Sequence, residues 1–169
     1  MNPFLSITHC KMPVVLYHTV SDDHLPHVRH LYHYRPVKKF IKDLDFLATH
    51  FRFITLDSLI NSLNGSERLP DNPLLLTFDD GFREMYDTVL PILLQKGIPA
   101  AFFLIAASLD NRALPFRNKA SVLVDYLNKN RGNGSKHKAA ASFLEEKGHR
   151  AVDYRTGILS IEYNDRNVL

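Results

Sequence analysis

A single cysteine, Cys10, stands in the 169 residues, so no internal disulfide can form. Neither a stapled secreted scaffold nor a cysteine-built zinc site is open to the chain, and Cys10 reads as a plain thiol. Tryptophan is absent altogether. Long apolar runs are missing too. The longest, Ile98 to Ala107, falls well short of the roughly 20 residues that a membrane-spanning helix needs. Met1 to Lys11 lacks a basic region followed by an apolar core and a small-residue cleavage site, so no signal peptide is read. The default compartment is the cytoplasm, with action outside it left open. Charge of one sign is also lacking: 21 Lys plus Arg stand against 18 Asp plus Glu, and the basic residues are dispersed. Nucleic acid is therefore not an implied partner. No internal repeat or low-complexity tract appears.

What remains, 45% hydrophobic and 23% charged, suits one globular domain. Pro13 to Tyr17 (PVVLY) reads as a first strand buried on both faces. From Pro36 to His50, Val37, Phe40, Ile41, Leu44 and Leu47 recur at three- and four-residue steps, one face of a helix that Pro36 can open. Phe51 to Ile54 reads as a second strand. Thr55 then caps a short helix over Asp57 to Leu63, which Asn64 and Gly65 end. Pro73 to Phe78 (PLLLTF) is a third strand, apolar on both faces. A helix follows with Tyr86, Val89, Leu90, Leu93 and Leu94 as its buried stripe, Pro91 marking a late start or a kink, and Gly97 a stop. Ala100 to Ile105 (AAFFLI) is the fourth strand. Short apolar strands alternating with amphipathic helices predict an α/β fold with a parallel sheet, open or closed into a barrel. Beyond Ser108, Phe116 to Leu127 is helical in pattern, Gly132 to Ser135 reads as a flexible break, and His137 to Lys147 as another helix. Ile158 to Leu169 fits a strand or a helix.

The chemistry gathers at Thr77-Phe78-Asp79-Asp80-Gly81, at the C-terminal end of a buried strand, where α/β folds place ligand sites. Two adjacent carboxylates repel each other, which favours a bound cation or a proton held on one of them. One carboxylate can ligate a metal that acidifies water while its neighbour takes the water's proton. Gly81 lets the backbone swing away so that both side chains reach one cavity. The plainer alternative is a polar turn that caps the next helix. His18 ends the first strand and either faces the site or is an ordinary loop histidine.

TFDDG after a buried strand resembles the first motif of the polysaccharide deacetylase family, the NodB homology domain or carbohydrate esterase family 4. Val14 to His18 (VVLYH) and Ile98 to Leu104 (IPAAFFL) resemble two further strands of that family, so the similarity spans roughly residues 12 to 108. The resemblance implies the N-terminal part of a distorted (β/α) barrel of the glycoside hydrolase and deacetylase type. It implies metal-dependent removal of acetyl groups from N-acetylated polysaccharide or oligosaccharide, with a divalent metal, often zinc. Matched residue by residue, Asp79 is the catalytic base and Asp80 the metal-ligating carboxylate. His18, Thr77 and Gly81 would line the wall, and a backbone N–H near Phe82 or the metal would stabilise the oxyanion.

The family's second motif, His-x-x-x-His, does not occur in the sequence, and the later motifs are missing as well. A zinc hydrolase normally needs three protein ligands and an open position. His24, His27, His30 and His33 recur every third residue, but Pro26 interrupts any helix there, so they read as solvated loop histidines. Two expectations follow. Either residues 1–169 are the front part of a longer deacetylase, with 109–169 a helical insertion or variable segment, or the chain is a catalytically degenerate carbohydrate-binding or scaffold module. A phosphatase is a distant third, because strand-end phosphatase aspartates come as Asp-x-Asp. The polysaccharide and the oligomeric state are not legible.

Overall fold

The computed structural model describes residues 12–129 and the backbone of 151–153 and 159–161. Two compact units divide the chain: Met1–His24 with Tyr34–Ala113, and Leu25–His33 with Leu114–Leu169.

The first unit is built on a parallel sheet centred on one strand. Its strands and helices run β1 (Val14–Tyr17), α1 (Val37–His50), β2 (Arg52–Ile54), α2 (Leu56–Leu63) and β3 (Pro73–Phe78). A π-helical turn (Met85–Val89), α3 (Leu90–Lys96) and β4 (Ala101–Phe102) complete it. A strand reading PLLLTF has no polar face to give to water, and Leu74 to Phe78 are all buried. One edge of β3 pairs with β1, from Val14↔Leu75 to Tyr17↔Phe78. The opposite edge is shared: β2 takes the first half, from Arg52↔Pro73 to Ile54↔Leu75, and β4 takes Thr77↔Ala101 and Phe78↔Phe102. Every pairing is parallel, as the strand-helix alternation predicts.

The register sorts the side chains into two faces, because successive residues of a strand point to opposite sides. Leu74, Leu76 and Phe78, with Val15 and Tyr17 of β1, share one face, and the helices cover it. Phe40 and Leu44 of α1 pack there, fully buried, with Met85, Val89 and Leu93. Each such side chain taken wholly out of water contributes about 1.5–3 kcal/mol. Tyr17, Phe40 and Phe78 form an aromatic triangle with centroids 5.2 to 6.1 Å apart, and Phe102 stacks on Phe78 at 5.0 Å.

Local signals place the helices. Asp22 accepts the first N–H of α1, Val37, at 3.0 Å, supplying from the preceding loop the cap that Pro36 lacks. Thr55 accepts from the Ser58 N–H at 3.0 Å and caps α2, and Gly65, at φ 75°, follows its end. Gly97 ends α3 in the left-handed region.

Three expectations need correction. β1 is not buried on both faces: Val15 and Tyr17 meet the core, while Val14 and Leu16, on the other face, are 55% and 49% exposed. The helices lie against only one side of that strand. The stripe after β3 is Met85, Val89 and Leu93, not one running through Tyr86 and Leu94, which are exposed. Pro91 has no N–H to give the helical ladder, and just before it the backbone widens into a π turn, with Leu90 N–H reaching the Met85 carbonyl. That turn resets which residues face inward. β4 is two residues long rather than six, since only Ala101 and Phe102 pair in the ladder, and Phe103 and Leu104 are exposed.

In the second unit, α4 (Phe116–Lys129) buries an unusually polar face of Asn118, Ser121 and Asp125. Asn118 and Ser121 hold the backbone of the 25–33 loop. Asn118 donates to the His27 carbonyl at 3.0 Å, and Ser121 Oγ donates to the Pro26 carbonyl at 2.6 Å while accepting the His30 N–H at 3.2 Å. β5 (Ala151–Asp153) and β6 (Leu159–Ile161) pair antiparallel, so the strand reading holds at Leu159–Ile161. Cys10, the break at 132–135 and the helix expected over 137–147 lie outside the described residues. Among the described residues, no helix is long and apolar enough to cross a membrane.

Candidate functional site

The site is built where β3 ends. Asp79 N–H donates to the Tyr17 carbonyl at 3.1 Å, and Phe103 N–H donates to the Phe78 carbonyl at 2.8 Å. Both bonds continue the parallel ladders one residue past the strands. His18, Asp79 and Phe103 therefore fall in one row across the three strand ends, two residues beyond the row of Leu16, Thr77 and Ala101. By alternation this row is on the face turned away from the helix-covered core.

Two successive left-handed residues, Asp80 at φ 75° and Gly81 at φ 74°, then turn the chain out of the sheet. For glycine this is free of steric cost, but for an aspartate it is strain of the kind that collects at functional sites. Leu104 lies against the turn. A Cβ on Gly81 would sit 2.5 Å from its Cδ2 and at ordinary contact distance, 3.6 Å, from its Cα, so φ favours glycine here and any side chain would have to displace that of Leu104.

Of the residues singled out by sequence, His18 and Asp79 come together in the row, and Asp80 and Gly81 follow in the turn. All but exposed Gly81 are partly buried. Thr77 lies one layer deeper, buried, with its hydroxyl donating to the Val15 carbonyl at 3.3 Å. Among the described residues, His24, His27, His30 and His33 are not gathered into a group that could hold a metal ion. His30 Nε2 stands 3.5 Å from Asp125, whose other oxygen accepts from Lys129 at 2.8 Å.

Sequence reasoning missed the group that anchors the row from behind. The Tyr17 hydroxyl donates to Asp43 Oδ2 at 3.1 Å, and Arg35 clasps the same carboxylate with Nε and Nη2, both at 2.6 Å. Burial, and then the charge and hydrogen bond of Asp43, push the Tyr17 hydroxyl up to about 12. The Arg35 hydrogen bonds hold Asp43 below its ordinary range, against partial burial that works the other way. The backbone of Tyr17 thus pins Asp79 while its side chain is fixed to α1. Phe103 was missed as well, since AAFFLI is apolar throughout and its composition does not tell one face from the other. The signal that finds it is parity: counted from a partner of Phe78, Phe103 must share the face of Asp79.

Among the described residues, no three His, Cys, Asp or Glu side chains gather in a way that could hold a metal ion. Asp80 offers one carboxylate, and the described residues do not fit a complete zinc centre.

The family model for polysaccharide deacetylase matches residues 66–150, half of the chain, including the whole Asp79–Asp80–Gly81 turn. The chain belongs to the polysaccharide deacetylase family. YxkH of Bacillus subtilis (strain 168), a curated protein described under the same family name, is 25% identical over 103 residues, 60% of this chain. Among solved structures, a de-N-acetylase from Aggregatibacter actinomycetemcomitans is 28% identical with a TM-score of 0.52 over 59% of this chain. IcaB from Ammonifex degensii is 31% identical with a TM-score of 0.50 over 58%. The Streptococcus pyogenes deacetylase PplD, solved in complex with acetate, covers 66% of the chain at 19% identity and a TM-score of 0.53, a likeness of fold alone. The parallel sheet alternating with helices is thus part of the deacetylase (β/α) barrel. The chain spans 34% of the length of YxkH and 39%, 40% and 52% of those three solved chains.

Proposed function

We propose that the chain belongs to an enzyme that hydrolyses the carbon–nitrogen bond of the acetamido group on N-acetylated sugars. One observation carries this reading: Asp79 stands at the mouth of the central strand, pinned through its own N–H, beside His18 and followed by Asp80 in a strained turn. Asp79 acts as the general base. It takes a proton from the water whose oxygen attacks the acetyl carbonyl carbon. The carbon–nitrogen bond then breaks, the proton passes to the departing nitrogen, and the products are acetate and a free amino sugar. Asp80 is the carboxylate that would contribute to a divalent metal, zinc by family resemblance, and such an ion would supply Lewis-acid chemistry there. His18 and Gly81 border the reacting group, and Thr77 supports the row from the layer below.

Acetate release from N-acetylglucosamine oligomers tests the reading. With only one family metal carboxylate among the described residues and no His-x-x-x-His in the sequence, turnover by the 169-residue chain is expected to be slow. What turnover there is should fall at least a hundredfold in Asp79→Asn. Release that is unchanged in Asp79→Asn sinks the assignment of the base. Zinc should be held weakly, so tight one-to-one retention lost in Asp80→Ala would show that the chain carries a full ligand set. The absence of a three-ligand cluster among the described residues favours a second reading, a carbohydrate-binding or scaffold module. Glycan binding that survives both Asp79→Asn and a chelator, with no acetate released, would select it.

A further inference from the structure

The site row contains one residue that the hydrolytic reading does not use. Phe103 is a large aromatic left 50% exposed, in line with Asp79. Its neighbour Phe102 pairs with Phe78 and stacks on it at 5.0 Å with the rings 13° from parallel, which fixes its side of the sheet although it is still 36% exposed. Alternation then sends Phe103 to the opposite side, where the backbone bond to Phe78 holds it next to Asp79.

We propose that Phe103 is the sugar-stacking platform of this site, taking the apolar face of an N-acetylhexosamine ring while the acetamido group of that ring lies over Asp79. The inference rests on the deacetylase reading and names the residue that would orient its substrate. Three considerations carry it. A neutral sugar offers carboxylates no charge to grip, so Asp79 and Asp80 cannot by themselves fix its orientation. The axial C–H groups of a pyranose make an apolar patch that matches the electron-rich face of an aromatic ring, and binding sites combine such surfaces with a few placed polar groups. Spacing agrees as well. Neighbouring strands lie about 4.8 Å apart, close to the width of one pyranose ring. A sugar centred on Phe103 therefore carries a ring substituent to the Asp79 position one strand over, with His18 one strand further.

The absence of tryptophan from the chain supplies the test. Phe103→Trp places a single indole at the platform, and its emission is titrated with N-acetylglucosamine tetramer on the 169-residue protein. A saturable change in emission is expected, retained when Asp79→Asn is added. By calorimetry, Phe103→Ala should weaken tetramer binding about five- to tenfold, while Phe103→Tyr, which keeps the ring, should bind like the native chain. Circular dichroism of the Ala variant checks that the fold is intact. Tetramer binding that is unchanged in Phe103→Ala, or that leaves the emission of Phe103→Trp unaltered, overturns the platform and leaves the deacetylase reading standing. No saturable binding to the native chain overturns the platform whatever the acetate assay reports. No acetate release by the native chain, with stacking intact, overturns the catalytic reading and not the platform.

Discussion

Asp80 can be asked how much strain it stores by comparing two substitutions at the same site. Its φ of 75° is in the left-handed region, where a residue with a Cβ is worse off than glycine by about 1–2 kcal/mol. Asp80→Ala and Asp80→Gly both delete the carboxylate and every contact it makes, so those losses cancel between them. What differs is the Cβ. The alanine variant keeps the steric cost, and the glycine variant removes it. Glycine also loosens the unfolded chain, which offsets about 0.4–1 kcal/mol of the gain. On the central values of the two ranges, Asp80→Gly is therefore expected to be more stable than Asp80→Ala by roughly 0.8 kcal/mol, or a few degrees in melting temperature. Urea unfolding of the two proteins, followed by circular dichroism with the slopes compared, measures the difference. Equal midpoints at equal slope, or a more stable alanine variant, would refute the claim that this turn is strained. The reciprocal substitution one residue on, Gly81→Ala, adds a Cβ at φ 74° and 2.5 Å from Leu104 Cδ2. It should cost about 1–3 kcal/mol, and the part owed to crowding should vanish in a Leu104→Ala background because Leu104 is largely exposed and only its side chain is too close.

Two further outcomes follow from groups away from the turn. Tyr17 titrates higher in the folded chain than its ordinary value, so its contribution to stability is present below about pH 10 and is lost as pH rises through about 12. Asp43 is held low, so its contribution is present above about pH 4 and is lost as pH falls through its folded value. Asp43→Asn should flatten the acid limb and move the Tyr17 ionisation downward without returning it to the ordinary value, since burial remains. Tyrosinate absorbance, with Tyr17→Phe subtracted, reads that shift, and an unmoved titration would remove Asp43 as its cause. In the second unit, Ser121→Ala strips a buried carbonyl and a buried N–H of their partner and should cost about 1–3 kcal/mol. Amide exchange at His30 should speed up with it. A neutral effect would mean that the loop at 25–33 finds other partners.

Much of this architecture is legible in the sequence because the local signals agree with the packing. PLLLTF allows only burial, Thr55 and Gly97 stand at helix ends where their chemistry suits them, and Asp-Asp-Gly after an apolar strand marks the turn by which the chain leaves the sheet. The failures have physical causes. A proline inside a helix announces a break but not whether the backbone tightens or widens there, so the side-chain stripe after β3 shifted onto Met85. Hydrophobicity reports that a strand is apolar, not how many of its sides are covered or how far it pairs: PVVLY reads as buried on both faces and AAFFLI as a six-residue strand, yet Val14 and Leu16 are exposed and only Ala101 and Phe102 pair. Tyr17 stands 26 residues before Asp43, and its association with Asp43 and Arg35 appears only once α1 is laid on the sheet.

The register of β1 and β4 on β3 is what turns this ordinary polar turn into a candidate site. Moving either strand by one residue would exchange its two faces, bringing Tyr17 or Phe102 toward the solvent side and sending His18 or Phe103 into the core. The aromatic layer of Tyr17, Phe40, Phe78 and Phe102 opposes that slip, because a displaced strand would lose its stack and leave the Tyr17 hydroxyl without Asp43. Core packing and site assembly are therefore one constraint read from two sides of the sheet. The residues that stabilise the helix-covered face also decide that Asp79 is flanked by an imidazole and an aromatic ring, with the strained carboxylate of Asp80 one residue beyond.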